Sequence, residues 1–123
     1  MSYLGQAILN EVLNGVDFPP PAQLWLALMT SAGEVVGAGY GRVNVTSGFS
    51  MATADDISSN LSQISFPTPL EPWGTVISAA VYDAQTGGNL LFVAKAMDPR
   101  NIPAGTPVYY NSGAINISIR TAT

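Results

Sequence analysis

The pattern of apolar and polar positions divides the chain into one helical stretch followed by a series of short strands. Ser2 is a residue type that caps helices. After it Leu4, Ile8 and Val12 recur every fourth residue with Leu9 and Leu13 beside them, and Asn14-Gly15 ends the pattern. This spacing predicts a short amphipathic helix over residues 2–14, with Gln6, Asn10 and Glu11 off the apolar stripe. A helix of this length is marginal in water by itself, so it must dock on its own sheet, on a neighbouring subunit or on a larger particle. Pro19-Pro20-Pro21 sets an extended connector. Leu24 to Met29 is then apolar at odd and even positions alike, which for a strand means that both faces are covered, so it is expected to be central.

From Ser31 to Gly41 the chain is rich in glycine and reads as a loop. Gly37, Gly39 and Gly41 lack the strand-before, helix-after context of a phosphate-binding loop, because Arg42 to Thr46 follows as an alternating strand. Residues Ser47 to Asn60 are mostly polar and read as a long loop. Leu61 to Phe66 alternates as a half-buried strand, which Pro67, Pro69 and Pro72 end. The stretch from Trp73 to Lys95 predicts a β-hairpin, with one strand over Thr75–Tyr82, a loop over Asp83–Asn89 and a second strand over Leu90–Lys95. Met97 to Gly105 reads as a turn segment, Pro107 to Tyr110 as a short edge strand and Asn111 to Gly113 as another turn. In the last strand Ile115, Ile117 and Ile119 share one face and Asn116, Ser118 and Arg120 the other. Six or seven strands after one helix predict a mainly β fold: a single antiparallel β-sandwich or jelly-roll-like domain over residues 1–123, with helix over 2–14 and strands and loops over 22–123.

Composition narrows the chemistry. The 123 residues include no cysteine and no histidine, which removes thiol catalysis, Cys-based zinc sites and the commonest general base. Arg42, Lys95, Arg100 and Arg120 are the only basic side chains and are scattered, so no patch neutralising several phosphates can form; nucleic acid and anionic membranes are not expected partners. No apolar run approaches the roughly 20 residues that cross a bilayer, and no export signal is visible at the N-terminus. Charged residues make up only 10% of the chain, well below the usual quarter, and a surface so poor in charge favours association, hence a homo-oligomer or a larger assembly. Three sequons, beginning at Asn44, Asn60 and Asn116, read as polar residues of strands and turns. No cofactor or metal is expected.

Several segments together resemble a family of small virion proteins of tailed bacteriophages, often labelled tail fibre protein. They are the leading helix, Pro20-Pro21-Ala22-Gln23-Leu24-Trp25-Leu26-Ala27-Leu28-Met29-Thr30, Gly39-Tyr40-Gly41-Arg42, Trp73-Gly74-Thr75-Val76, Tyr82-Asp83-Ala84 with Thr86-Gly87-Gly88-Asn89-Leu90-Leu91, and Ile102-Pro103-Ala104-Gly105-Thr106. Each is turn chemistry and strand patterning, and the specificity lies in their conjunction and order. The resemblance implies a non-enzymatic virion component, assembled in the bacterial host cytoplasm, either as a tail fibre or spike module or as a capsid decoration protein. A symmetric homo-oligomer, a trimer as phage spikes and decorations often are, would contact other virion proteins of the tail, neck or capsid.

Aromatic and helical apolar residues are the candidate interface: Tyr109, Tyr110, Leu4, Ile8 and Val12, with Tyr40 and Tyr82 as further aromatic candidates and Trp25 and Trp73 expected in the core. Two other classes stay open. A carbohydrate-binding module recognising host surface glycans would present Trp or Tyr faces beside Asp or Asn, with Tyr109 and Asp83 as candidates. A carboxylate-dependent hydrolase would have to use Asp55, Asp56 or Glu71.

Overall fold

The computed structural model describes residues 2–51, 57–94 and 98–118. Its only helix among them, α1 (Ser2–Asn14), coincides with the predicted span. Gly15, at φ 69°, turns the chain out of the helix, a conformation that glycine adopts at no steric cost. There the Gly15 and Val16 amides donate to the carbonyls of Glu11 and Asn10.

Eleven strands follow: β1 (Trp25–Thr30), β2 (Gly33–Glu34), β3 (Val43–Asn44), β4 (Ile57–Ser59), β5 (Ile64–Phe66), β6 (Gly74–Val76), β7 (Ser78–Tyr82), β8 (Leu90–Val93), β9 (Arg100–Ile102), β10 (Val108–Tyr110) and β11 (Asn116–Ser118). All pairings are antiparallel. The largest sheet runs β2-β1-β7-β8, with β3 pairing β1 beside β2; β10–β5, β11–β4 and β6–β9 form three two-stranded ribbons. One core draws on all of them: Leu26, Leu28, Ala79, Val81 and Leu91 from the large sheet meet Ile64, Phe66, Val76, Ile102, Val108, Ile115 and Ile117 from the ribbons. The mainly β architecture with one N-terminal helix is therefore as expected from the patterning.

As expected for a strand covered on both faces, β1 buries the consecutive residues Leu26, Ala27 and Leu28 completely. It lies between β7 on one edge, in register from Trp25↔Tyr82 to Met29↔Ser78, and β2 and β3 on the other. The hairpin is confirmed at β7 and β8, but its first strand is shorter than predicted. The run Thr75–Tyr82 is interrupted at Ile77, whose amide donates to the Met29 carbonyl at 2.9 Å. The preceding residues swing away as β6 to pair with β9, inside the segment 97–105 that the sequence assigns to a turn. In this ribbon, where Gly74 pairs with Ile102 and Val76 with Arg100, Val76 and Ile102 are both buried in the core, at 1% and 0% exposure. The long loop predicted over Ser47–Asn60 likewise contains β4, held by β11 and not by any apolar alternation of its own. Lys95, Met97, Ile119 and Arg120, placed in strands or turns from the sequence, lie outside the described residues.

Asn60 ties two of these turns together from within. It is 3% exposed, and its Oδ1 accepts the Ile115 amide at 2.9 Å while Nδ2 donates to the carbonyls of Ser62 and Asn111 at 2.8 and 2.9 Å. Truncation leaves the buried Ile115 amide without its acceptor and removes the bonds to two further carbonyls, so Asn60→Ala should lower unfolding free energy by about 3 kcal/mol in urea titrations. Leu61→Ala next to it, where the side chain is mostly exposed, should change stability by less than about 0.5 kcal/mol.

Candidate functional site

The densest polar constellation of the fold is built on the small-residue face of the large sheet. Strand alternation places Leu26 and Leu28 on the core side and leaves Ala27 and its cross-strand partner Ala80 on the other, flanked by Trp25 and Tyr82. Beside these residues Arg42 lies over Tyr82, with its guanidinium carbon 3.8 Å from the centre of the ring. Its Nε and Nη2 each donate to a different carboxylate oxygen of Glu34 at 2.8 Å, a bidentate pair. Its Nη1 donates to the carbonyls of Ala84 and Gly87 at 2.8 Å, clasping the β7–β8 loop.

Tyr40 completes the group. Its hydroxyl donates to Glu34 Oε2 at 2.6 Å and accepts the Leu28 amide at 3.1 Å. That amide lies on the β1 edge between the stretches paired to β2 and β3, where no strand reaches it; the Val35 amide meets the Leu28 carbonyl in the same gap at 3.0 Å. The Tyr40 ring packs edge-on against Trp73 at 5.3 Å, and Trp73 Nε1 donates to the Ala38 carbonyl. Gly37 is required by this stack, since a Cβ at that position would lie 2.7 Å from Trp73 Cδ1.

Electrostatics make the group a clamp. Hydrogen bonds from Arg42 hold the Glu34 carboxyl below the usual carboxylate range, against part burial that acts to raise it, with the Tyr40 hydroxyl adding to the lowering. Burial first, and then donation to Glu34, pushes the Tyr40 hydroxyl well above the usual tyrosine range. An ionised carboxylate tied to a guanidinium, and a phenol that keeps its proton, exchange no proton near neutral pH. A shallow cleft of about 220 Å³ beside them is lined by Glu34, Tyr40, Arg42, Gln85, Thr86 and neighbours, whose charged groups are already paired.

The other candidates are dispersed. Glu71 accepts the Ala38 amide at 2.8 Å, bracing the glycine-rich loop, while Asp55 and Asp56 lie outside the described residues. Asp83 accepts the Asn89 amide and side chain at 2.7 and 3.0 Å, bonds that hold its carboxyl below the usual range and close the hairpin loop. The sequon residues Asn44, Asn60 and Asn116 each spend their side chain on bonds within strands and turns. Among the described residues no group of three or more His, Cys, Asp or Glu is placed to hold a metal ion, and no helix is long and apolar enough to cross a membrane.

The candidate interface residues fall into separate places. Trp73 is buried as expected, whereas Trp25 is only partly so. Tyr109 points outward from β10, while Tyr110 packs edge-on against Phe66 and is half-buried. Leu4 sits in the core, and Ile8 and Val12 are exposed on α1. Tyr40 and Tyr82 of the Arg42 clamp were candidates as interface aromatics, whereas Arg42 and Glu34, which hold the clamp together, were not. The clamp's one visible signal is a rare cation beside an aromatic, Tyr40-Gly41-Arg42, eight residues after an acid.

A compact β-module with its few charges spent on its own loops and a large apolar remainder is the profile of a structural component. The family model described as podophage GP4 fiber I protein gp80 matches residues 1–118, and the chain belongs to that family. It is thus a structural protein of a phage tail fibre family and a component of the virion. No curated protein matches it in sequence.

The clamp depends on geometry as well as charge. Arg42→Lys keeps the cation but loses the fork that spans Glu34 and both loop carbonyls, so it should cost about 2 kcal/mol in chemical denaturation, measurably more than a surface Arg→Lys change. Because the folded pKa of Glu34 lies below the unfolded one, its contribution is present above the unfolded value of about 4.3 and is lost as pH falls through the lowered folded value. Glu34→Gln should therefore flatten the acid side of the stability–pH curve; an unchanged slope would mean that other carboxylates set it.

Proposed function

We propose that the chain is one module of a podophage fibre, assembled as a symmetric homo-oligomer, a trimer, and joined to other virion proteins, with no catalytic role. The whole chain acts as a single repeated unit, assembled in the host cytoplasm and carried on the tail rather than as capsid decoration. The observation that carries this reading is the family match over residues 1–118, almost the full length. The fold supports it in kind: the described acids at Glu34, Glu71 and Asp83 all brace loops of the same chain. A repeated module needs only a modest contact per copy, since multiplicity supplies the avidity.

Glycan recognition at the host surface has less to rest on, because Asp83 commits both carboxylate oxygens to Asn89. Light scattering of the purified chain should give three times its 12.8 kDa mass, and labelling of intact virions should place it on tail appendages. A chain absent from purified virions would overturn the virion role. A label on the capsid shell would overturn the fibre position alone.

A further inference from the structure

The helix presents its larger apolar face to solvent. Residues three or four apart stack on one side of a helix, so Leu4, Ala7 and Glu11 share a face. Leu4 docks in the core, and Glu11 folds back to accept the Phe18 amide at 2.7 Å, so this is the face turned to the body. The adjoining arc, which begins at Ile8 beside Leu4 and sweeps round through Val12 and Leu9 to Leu13, is exposed by 37, 73, 57 and 71% in that order, and Val16 just beyond the helix end is 54% exposed. Burial here runs against the usual rule, in which an amphipathic helix turns its apolar stripe inward.

We propose that this outer face of α1 is where copies of the chain join, helix against helix, around the symmetry axis of the oligomer; the inference rests on the homo-oligomer reading above. Area and charge select a second copy as the occupant. The five side chains expose on the order of 500 Å², the upper end of what an ordinary monomer leaves open. Two such faces together reach on the order of 1,000 Å², the size a specific contact needs. Each chain carries a formal net charge of −4, so copies repel except where they meet through uncharged surface. The arc has no charged residue; on its Leu13 side it is flanked by Gln6 and Asn10, which can hydrogen-bond to their own counterparts, and on its Ile8 side by Leu4 and by Glu11, whose carboxylate is engaged by the Phe18 amide. A partner recognised by opposite charge would find nothing there to pair with. A 13-residue helix held from one side only also gains stability from burial of its other face.

Sedimentation of the full chain, alone and with Leu9→Asp and Val12→Asp together, tests this. Both side chains are exposed in the single chain, so its fold should survive, with unchanged near-ultraviolet circular dichroism. The concentration of half-dissociation should rise by about 100-fold or more. Because the chain has no cysteine, Val12→Cys introduces a lone thiol, and mild oxidation should link copy to copy, whereas Tyr109→Cys should not. If the unaltered chain is an oligomer and the double variant stays one, the helix is not the contact and the homo-oligomer stands. A 12.8 kDa species at every concentration overturns both. Oxidised virions in which Val12→Cys links to a different protein replace the second copy with a heterologous partner.

Discussion

The fold depends on one strand that has no free side. β1 buries its centre on both faces, so each amide and carbonyl along it must find a partner away from water. β7 satisfies one edge over five residue pairs. The other edge is met piecemeal, by β2 at one end, β3 at the other, and the Tyr40 hydroxyl and Val35 amide between them. The glycine-rich loop is therefore part of the sheet's hydrogen bonding, although it supplies only two residues of strand.

The same requirement explains where the charges went. Tyr40 can reach Leu28 only if its own proton has an acceptor, and Glu34 provides it. A carboxylate against the sheet needs a cation, and Arg42 provides that while reaching on to the β7–β8 loop. Glu11, Glu71 and Asp83 are likewise bonded to amides of their own chain. A protein with few charges that ties several of them to its own backbone leaves few charged groups free for outside partners. Such a surface suits a component of a virion, which is what its family membership makes it.

Much of this was legible in the residues. The helix span, the double-sided β1 run and the Asp83–Asn89 hairpin loop follow from periodicity and turn chemistry, which act over a few residues. The resemblance to phage fibre proteins lay in an ordered set of turn and strand segments. The split between β6 and β7 was not legible, because Thr75 to Tyr82 is uniformly strand-like and its two halves differ only in their partners, β9 for the first and β1 and β8 for the second. β4 was missed for the same kind of reason, since Ile57-Ser58-Ser59 owes its extension to β11 nearly sixty residues later.

The amino-acid sequence by itself determined the helix span, the double-sided β1 run, the hairpin loop and that imidazole and thiol chemistry are excluded. Those properties are local or compositional. Only the tertiary structure decided that Arg42, Glu34, Tyr40 and Tyr82 meet, and that α1 turns Leu4 inward and leaves Ile8, Leu9, Val12 and Leu13 outside. A helical pattern records that an apolar face exists; what it faces is set by which surfaces distant parts of the chain bring to it, and no short-range rule contains that.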